Sequence, residues 1–289
     1  MKIQIIILFL ILSQTSFSQK IDKVSQLVST ENYFAALAKQ KGIKKAFLTV
    51  SDDNSIMFRP GPVKVKDYFK DKPDSLGTLL WEPAFARIAK SGDWGFTTGP
   101  SIYKKSDTSK IADYGDYVSV WKKNSKGIWK LSVDLGISHK KPASNPKLVF
   151  SNPKNEVYQK QRSDTRLQQR EDIVLSSDKL LATILKADNL IAQTEFLAPE
   201  SRLLFPGFEP VIGKAKITEF WKKQGFKMSS QPIKADRALS GELAYTYGDA
   251  EILQKGIKKN YSYVRIWEVQ PGYVWNIVLE IFVENKDKV

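Results

Sequence analysis

Residues 91–100 read SGDWGFTTGP, and residues 240–248 read SGELAYTYG. Both open on Ser-Gly-acidic, pass through large residues at every second position, and close on Thr-x-Gly. Alternation with period two is the signature of a strand with one buried face. Glycine inside such a strand costs stability and marks a bulge or bend, which singles out Gly95 and Gly99.

Working outward, the same elements recur in the same order around both stretches. Upstream lies a helical stretch over 21–41, with Val24, Leu27, Val28, Tyr33, Phe34, Leu37 and Ala38 at helical spacing. Its counterpart carries Leu180, Leu181, Ile184, Leu185, Leu190 and Ile191. A second short helix, a short strand and a Pro-Gly turn follow, IMFRPGP at 56–62 and RLLFPGFEP at 202–210. Small amphipathic helices come next, VKVKDYF at 63–69 and AKITEFW at 215–221. Downstream are alternating strands at 114–121 and 261–267, then 128–137 and 273–282. Trp121 and Trp129 are eight residues apart, as are Trp267 and Trp275; the offset between the pairs is 146, against 149 at the Ser-Gly turn. This order predicts a tandem duplication of an α+β domain. Each copy is a cone, with N-terminal helices packed in a strongly curved antiparallel sheet and a pocket between them. The blocks are expected to pack sheet to sheet with pseudo-twofold symmetry, the whole being a monomer or homodimer.

The first residues, MKIQIIILFLILSQTSFSQ, carry one lysine and an apolar run too short to span a bilayer. They read as a signal peptide over 1–18, and the chain as exported, to the periplasm or the medium. The remaining boundaries are a first domain over 19–140, a Pro-, Asn- and charge-rich linker over 141–172, and a second domain over 173–289. No later stretch suits stable membrane insertion. The net charge of +14 is spread over scattered lysines and reads as a solvated surface, not a nucleic-acid site. The chain has no cysteine, which excludes disulfides, thiolate metal sites and cysteine nucleophiles. The one histidine, His139, reads as part of a solvated tail beside Lys140 and Lys141. No metal and no cofactor are expected.

FRPGPV (58–63), LWEP (80–83), SGDWGFTTGP (91–100), GDYVSVW (115–121) and GIWKLSVDLG (127–136) together resemble the nuclear transport factor 2-like superfamily. The resemblance is to its SnoaL-like and ketosteroid-isomerase-like branch, in a group of exported bacterial proteins. The second block resembles the superfamily more generally, through LLFPGFEPVIGKAKITEFW (203–221). The resemblance implies the cone fold; the superfamily hosts isomerases, cyclases and dehydratases as well as binding domains. In ketosteroid-isomerase-like domains a catalytic aspartate stands after the first short strand, just before a proline. Here LLFPG puts Phe205 at that place, so isomerase chemistry is not expected in the second block.

Two classes of function remain. The first is binding of a small apolar or amphipathic ligand, with Trp81, Phe85, Trp94, Phe96 and Trp129 lining one cone. Phe205, Trp221, Tyr245 and Tyr247 would line the other. The second is a cofactor-independent isomerase, cyclase or hydro-lyase, with Asp134 or Glu82 as a desolvated acid–base group and Arg59 as its partner. Asp134 and Glu280 are related by the same offset of 146. Strict strand alternation places Asp134 opposite Trp129, Leu131 and Val133, on the solvent side if the tryptophan face is core.

Overall fold

The carboxylate of Asp22 accepts from the backbone N–H of Ser25 and so starts helix α1 (Lys23–Lys41). The computed structural model describes residues 22–106, 112–160 and 163–285, so the stretch read as a signal peptide lies outside the described residues. Along α1 the buried positions Val24, Leu27, Glu31, Phe34 and Ala38 recur at helical spacing and face one sheet. Tyr33, outside this stripe, is exposed. After α1 come α2 (Ile43–Val50), β1 (Ser51–Phe58), β2 (Pro62–Lys64) and α3 (Val65–Lys70). Strands β3 (Thr78–Trp81), β4 (Phe85–Ile88), β5 (Trp94–Lys104), β6 (Asp113–Lys123), β7 (Trp129–His139) and β8 (Val149–Ser151) complete the first unit.

The second unit repeats the plan. Helices α4 (Asp164–Ala187) and α5 (Asn189–Phe196) precede β9 (Leu197–Leu204), β10 (Val211–Ile212) and α6 (Lys214–Gln224). Strands β11 (Lys227–Arg237), β12 (Leu243–Gln254), β13 (Ile257–Gln270) and β14 (Val274–Glu284) follow. The sheet orders are β2-β1-β7-β6-β5-β4-β8 and β10-β9-β14-β13-β12-β11, so the protein is α+β with two cone-like domains. The sheets are antiparallel except where β1 lies parallel to β7, β9 parallel to β14, and β8 parallel to β4.

The region read as linker over 141–172 is partly structured. It contains β8, and α4 begins at Asp164. The first turns of α4 bring only Leu167, Arg170 and Glu171 partly out of solvent, so a solvated helix face had the composition of a linker. Leu180, on the far side of the α4 stripe, and Leu190 and Ile191 on α5 are exposed.

Two irregularities shape each sheet. Opposite Gly99 the neighbouring chain kinks through Glu82–Pro83–Ala84, between β3 and β4, both of which pair with β5. A Cβ on Gly99 would lie 2.0 Å from the Glu82 carbonyl oxygen. In the second cone Pro232 stands opposite Gly248, next to a register shift in β11, and a Cβ there would lie 2.2 Å from the Gln231 carbonyl oxygen. The glycines therefore receive a kinked neighbour, while β5 itself runs in continuous register with β6. The second irregularity is a bulge at Ser132 in β7, where Trp121 pairs with Leu131 but Val120 with Val133. Val278 in β14 repeats it, between the pairs Trp267–Ile277 and Ile266–Leu279.

The outer sheet faces meet. Trp94, Phe96, Val118, Val120, Val133 and Leu135 share one apolar core with Leu243, Tyr245, Val264, Ile266 and Leu279. The contacts at its edge are reciprocal. Ser91 N–H donates to Ser240 Oγ at 3.1 Å, and Ser240 N–H to Ser91 Oγ at 3.2 Å. Lys90 N–H donates to the Glu242 carboxylate, and Leu239 N–H to that of Asp93. Lys122 pairs with Asp236 and Arg87 with Glu268, which the same offsets interchange. Such exchange of roles defines an approximate twofold relation between the cones.

Candidate functional site

The inner face of the first cone holds a cavity of about 710 Å³ between the sheet, α1, α2 and α3. Its walls are largely apolar, with Phe34, Phe47, Met57, Phe69, Leu79 and Trp81 prominent. Two of the expected catalytic residues line it, Arg59 and Asp134. The Ser132 bulge is what turns Asp134 inward. It moves Val133, Leu135 and Ile137 to the core between the sheets and leaves Asp134 on the cavity side with Leu131. The alternation that placed Asp134 on the solvent face fails at this extra residue.

Asp134 Oδ1 lies 3.5 Å from Arg59 Nη2, and Oδ2 is 3.3 Å from Ser119 Oγ. Arg59 also donates through Nη1 to the Phe58 carbonyl at 2.7 Å. Burial raises the Asp134 carboxyl above its ordinary pKa, and the Arg59 charge and the Ser119 hydroxyl oppose the rise without cancelling it. Tyr117 Oη, beside Thr97, is buried without a hydrogen bond, and burial raises its pKa also. Glu82 points away. It is exposed at the kink between β3 and β4 and does not line the cavity.

Behind the cavity stands a residue that the sequence reading passed over. Glu31 is fully buried; its Oε1 accepts from Trp81 Nε1 at 2.6 Å. Its Oε2 accepts from Trp121 Nε1 at 2.7 Å and Thr97 Oγ1 at 2.5 Å. Burial pushes its pKa up to about 7 against the pull of these three donors. An acid on the apolar stripe Leu27–Glu31–Phe34 was the available signal.

Of the expected ligand-lining aromatics, only Trp81 faces this cavity. Phe85, Trp94, Phe96, Tyr245 and Tyr247 lie in or against the core between the sheets, with Trp94 and Tyr245 stacked at 6.4 Å. Alternation assigned them correctly to one face, but that face meets the other cone. Trp129 does not line the cavity; it is half-buried against the first cone's inner core, with Lys123 Nζ 4.8 Å above its ring. His139 is not a solvated tail: it ends β7 with its side chain buried, and Nε2 is 2.7 Å from Asp116 Oδ2. Burial raises the Asp116 pKa to about 6, against the pull of His139.

The second cone is filled at the matching positions. Phe205 stands where the first cone has Arg59, within 5.2–6.2 Å of Phe208, Phe220, Trp221, Phe226, Tyr261 and Phe282. Phe205 and Trp221 are thus core packing. Arg265 stands where the first cone has Ser119. It reaches Asp178 at 2.5 Å and Glu280 at 2.6 Å, all three fully buried. Glu280, the counterpart of Asp134, and Asp178, the counterpart of Glu31, are thus both engaged by the one Arg265 guanidinium. Among the described residues no group of His, Cys, Asp and Glu could hold a metal ion.

No protein-family model matches the chain, and no curated protein sequence matches it. Solved structures do. A ketosteroid isomerase-like protein from Erwinia carotovora atroseptica SCRI1043 is 14% identical, with a TM-score of 0.36, covering 42% of this chain and 98% of its own. An NTF2-like protein from Cytophaga hutchinsonii ATCC 33406 is 15% identical, with a TM-score of 0.34, covering 39% of this chain and 97% of its own. An LEH-like epoxide hydrolase from M. tuberculosis is 10% identical, with a TM-score of 0.32, covering 40% of this chain and 80% of its own. These three solved structures cover 42%, 39% and 40% of this chain, each about the length of one cone.

Proposed function

We propose that this is an exported tandem of two cones, of which the first binds a small, mainly apolar ligand. The supporting observation is the contrast between equivalent positions. Arg59 and Ser119 leave a cavity of about 710 Å³ in the first cone, while Phe205 and Arg265 occupy the corresponding space in the second. A cavity of that size with apolar walls and a few converging polar groups suits one small molecule. Trp81 and the phenylalanines bury its apolar body. Asp134, Arg59 and the unpaired Tyr117 hydroxyl orient a polar substituent. Native mass spectrometry of protein taken from its own cell envelope tests this directly. A co-purifying small molecule lost in a Leu79→Trp variant supports the reading; an unchanged complement of bound molecules refutes it.

A second reading, acid–base catalysis of an isomerisation, cyclisation or elimination, is favoured by Asp134. A carboxyl inside an apolar cavity with a raised pKa is fitted to move a proton. With the ligand identified, Asp134→Asn separates the two. Retained binding with lost turnover supports catalysis, whereas an Asn variant as competent as the parent leaves binding alone.

A further inference from the structure

We infer that the second cone forms part of the first cone's binding site, and that Val283 is a residue determining which ligands fit. This rests on the proposal that the first cone binds a ligand. Val283 lines the first cone's cavity although it belongs to the last strand of the second cone. Strand alternation explains how. Phe282 points into the second cone's own core, so Val283 points outward and packs against the core between the sheets.

The surrounding contacts fix this wall in place. Gly207, in the Pro-Gly turn of the second cone, donates its N–H to the carbonyl of Ser138 at 2.8 Å, and Ser138 lines the cavity. The Phe58 ring, also lining it, packs edge-on against Tyr247 of the second cone at 5.7 Å. At the Pro-Gly turn after β1, Asn285 Nδ2 would lie 3.5 Å from a Cβ on Gly61. The β1 end and the β7 end of the cavity are therefore both held by the other unit, and an aliphatic side chain from that unit closes the gap.

The arrangement is one-sided. The second cone's own interior is filled by Phe205 and its aromatic neighbours, so its boundary with the first covers packed core. One cone holds the site, while the other has become its wall and support. For an apolar ligand the bulk at position 283 then sets the length or breadth accepted, in the way that a single methylene shifts affinity in any apolar pocket.

The test is a fluorescence titration of the full chain with 1-anilinonaphthalene-8-sulfonate, comparing the parent with Val283→Trp, Val283→Ala and Leu79→Trp. Far-UV circular dichroism and melting curves report on the fold of each. Leu79 lies on the first cone's own wall, so its replacement reads out the cavity independently of the second cone. Weakening of about tenfold or more in both tryptophan variants is expected, with a changed dissociation constant in Val283→Ala. Weakening in Leu79→Trp with unchanged binding in both Val283 variants overturns the inference and leaves the cavity reading standing. If Val283→Trp does not fold, the alanine variant decides. Binding unaffected by Leu79→Trp, or no saturable binding by the parent, overturns both.

Discussion

Replacing Glu31 by Gln tests whether a buried acid sets the pH dependence of folding. The three groups pointing at the Glu31 carboxyl are all donors in the observed geometry: the Trp81 and Trp121 indoles and the Thr97 hydroxyl. Burial nevertheless dominates and raises the pKa from 4.5 to about 7. A carboxyl that binds its proton more tightly when folded stabilises the fold below its unfolded pKa and loses that contribution as pH rises through the folded one. The shift corresponds to about 3 kcal/mol, most of it released between about pH 5 and about pH 8. Asp116, raised to about 6, acts in the same sense over a lower range, so parent stability falls as pH rises. The glutamine of Glu31→Gln cannot ionise and removes the share due to Glu31, leaving that of Asp116. It also presents an amide N–H₂ to donors, costing about 1–2 kcal/mol for the bond lost. The two effects oppose each other, and the sign of the difference reverses with pH. Near pH 5 the parent is the more stable; near pH 8 Glu31→Gln is the more stable by roughly 1–2 kcal/mol. Urea unfolding across this range, followed by tryptophan fluorescence, measures both. Parallel curves for parent and variant would refute the reasoning, because the pH dependence would then arise elsewhere.

Arg265→Met strands the Asp178 and Glu280 carboxyls in a dry core and is expected to cost about 3–5 kcal/mol in the same urea assay. Neutralising both acids by Asp178→Leu and Glu280→Leu in the Arg265→Met background should recover much of that loss. Gly99→Ala and Gly248→Ala each drive a methyl into a backbone oxygen and should lower stability by about 3 kcal/mol, whereas neither should do so if the kinks opposite them relax. A double-mutant cycle on Ser91→Ala and Ser240→Ala should give a coupling energy of about 1 kcal/mol, since the two hydroxyls lie 2.7 Å apart and exchange backbone donors; additive losses would contradict the contact.

The order of elements was legible because both cones write it twice, at offsets of 146 and 149. The cavity was partly legible. Arg59, Asp134 and Trp81 converge, yet Asp134 was assigned the wrong face because one unpaired residue, Ser132, resets the alternation. A bulge leaves little trace in composition, and Ser132 and Val278 share neither size nor polarity. Glu31 was visible in principle as an acid on an apolar stripe, but naming its partners required Trp81, Thr97 and Trp121 to meet in space. The aromatics of β5 and β12 were misassigned for another reason. Periodicity tells which residues share a face; it does not tell whether that face meets a ligand, a helix or another sheet.

That last ambiguity bears on why the two Ser-Gly stretches still resemble each other while the cone interiors do not. Each turn is the other's binding partner. Ser91 and Ser240 bond to one another's backbone, and the acids Asp93 and Glu242 accept from Leu239 and Lys90 across the twofold relation. A change in one copy leaves a donor in the other unpaired, so reciprocal contact penalises divergence at both positions together. In the interiors, Arg59 and Ser119 bond to Asp134 of their own cone, while Phe205 packs on Phe226 and Arg265 pairs with Asp178 and Glu280 in theirs. One interior could fill with aromatics and an ion triad while the other stayed open. The shared motif therefore reports the joint between the cones, and the chemistry of the site lies where their sequences differ.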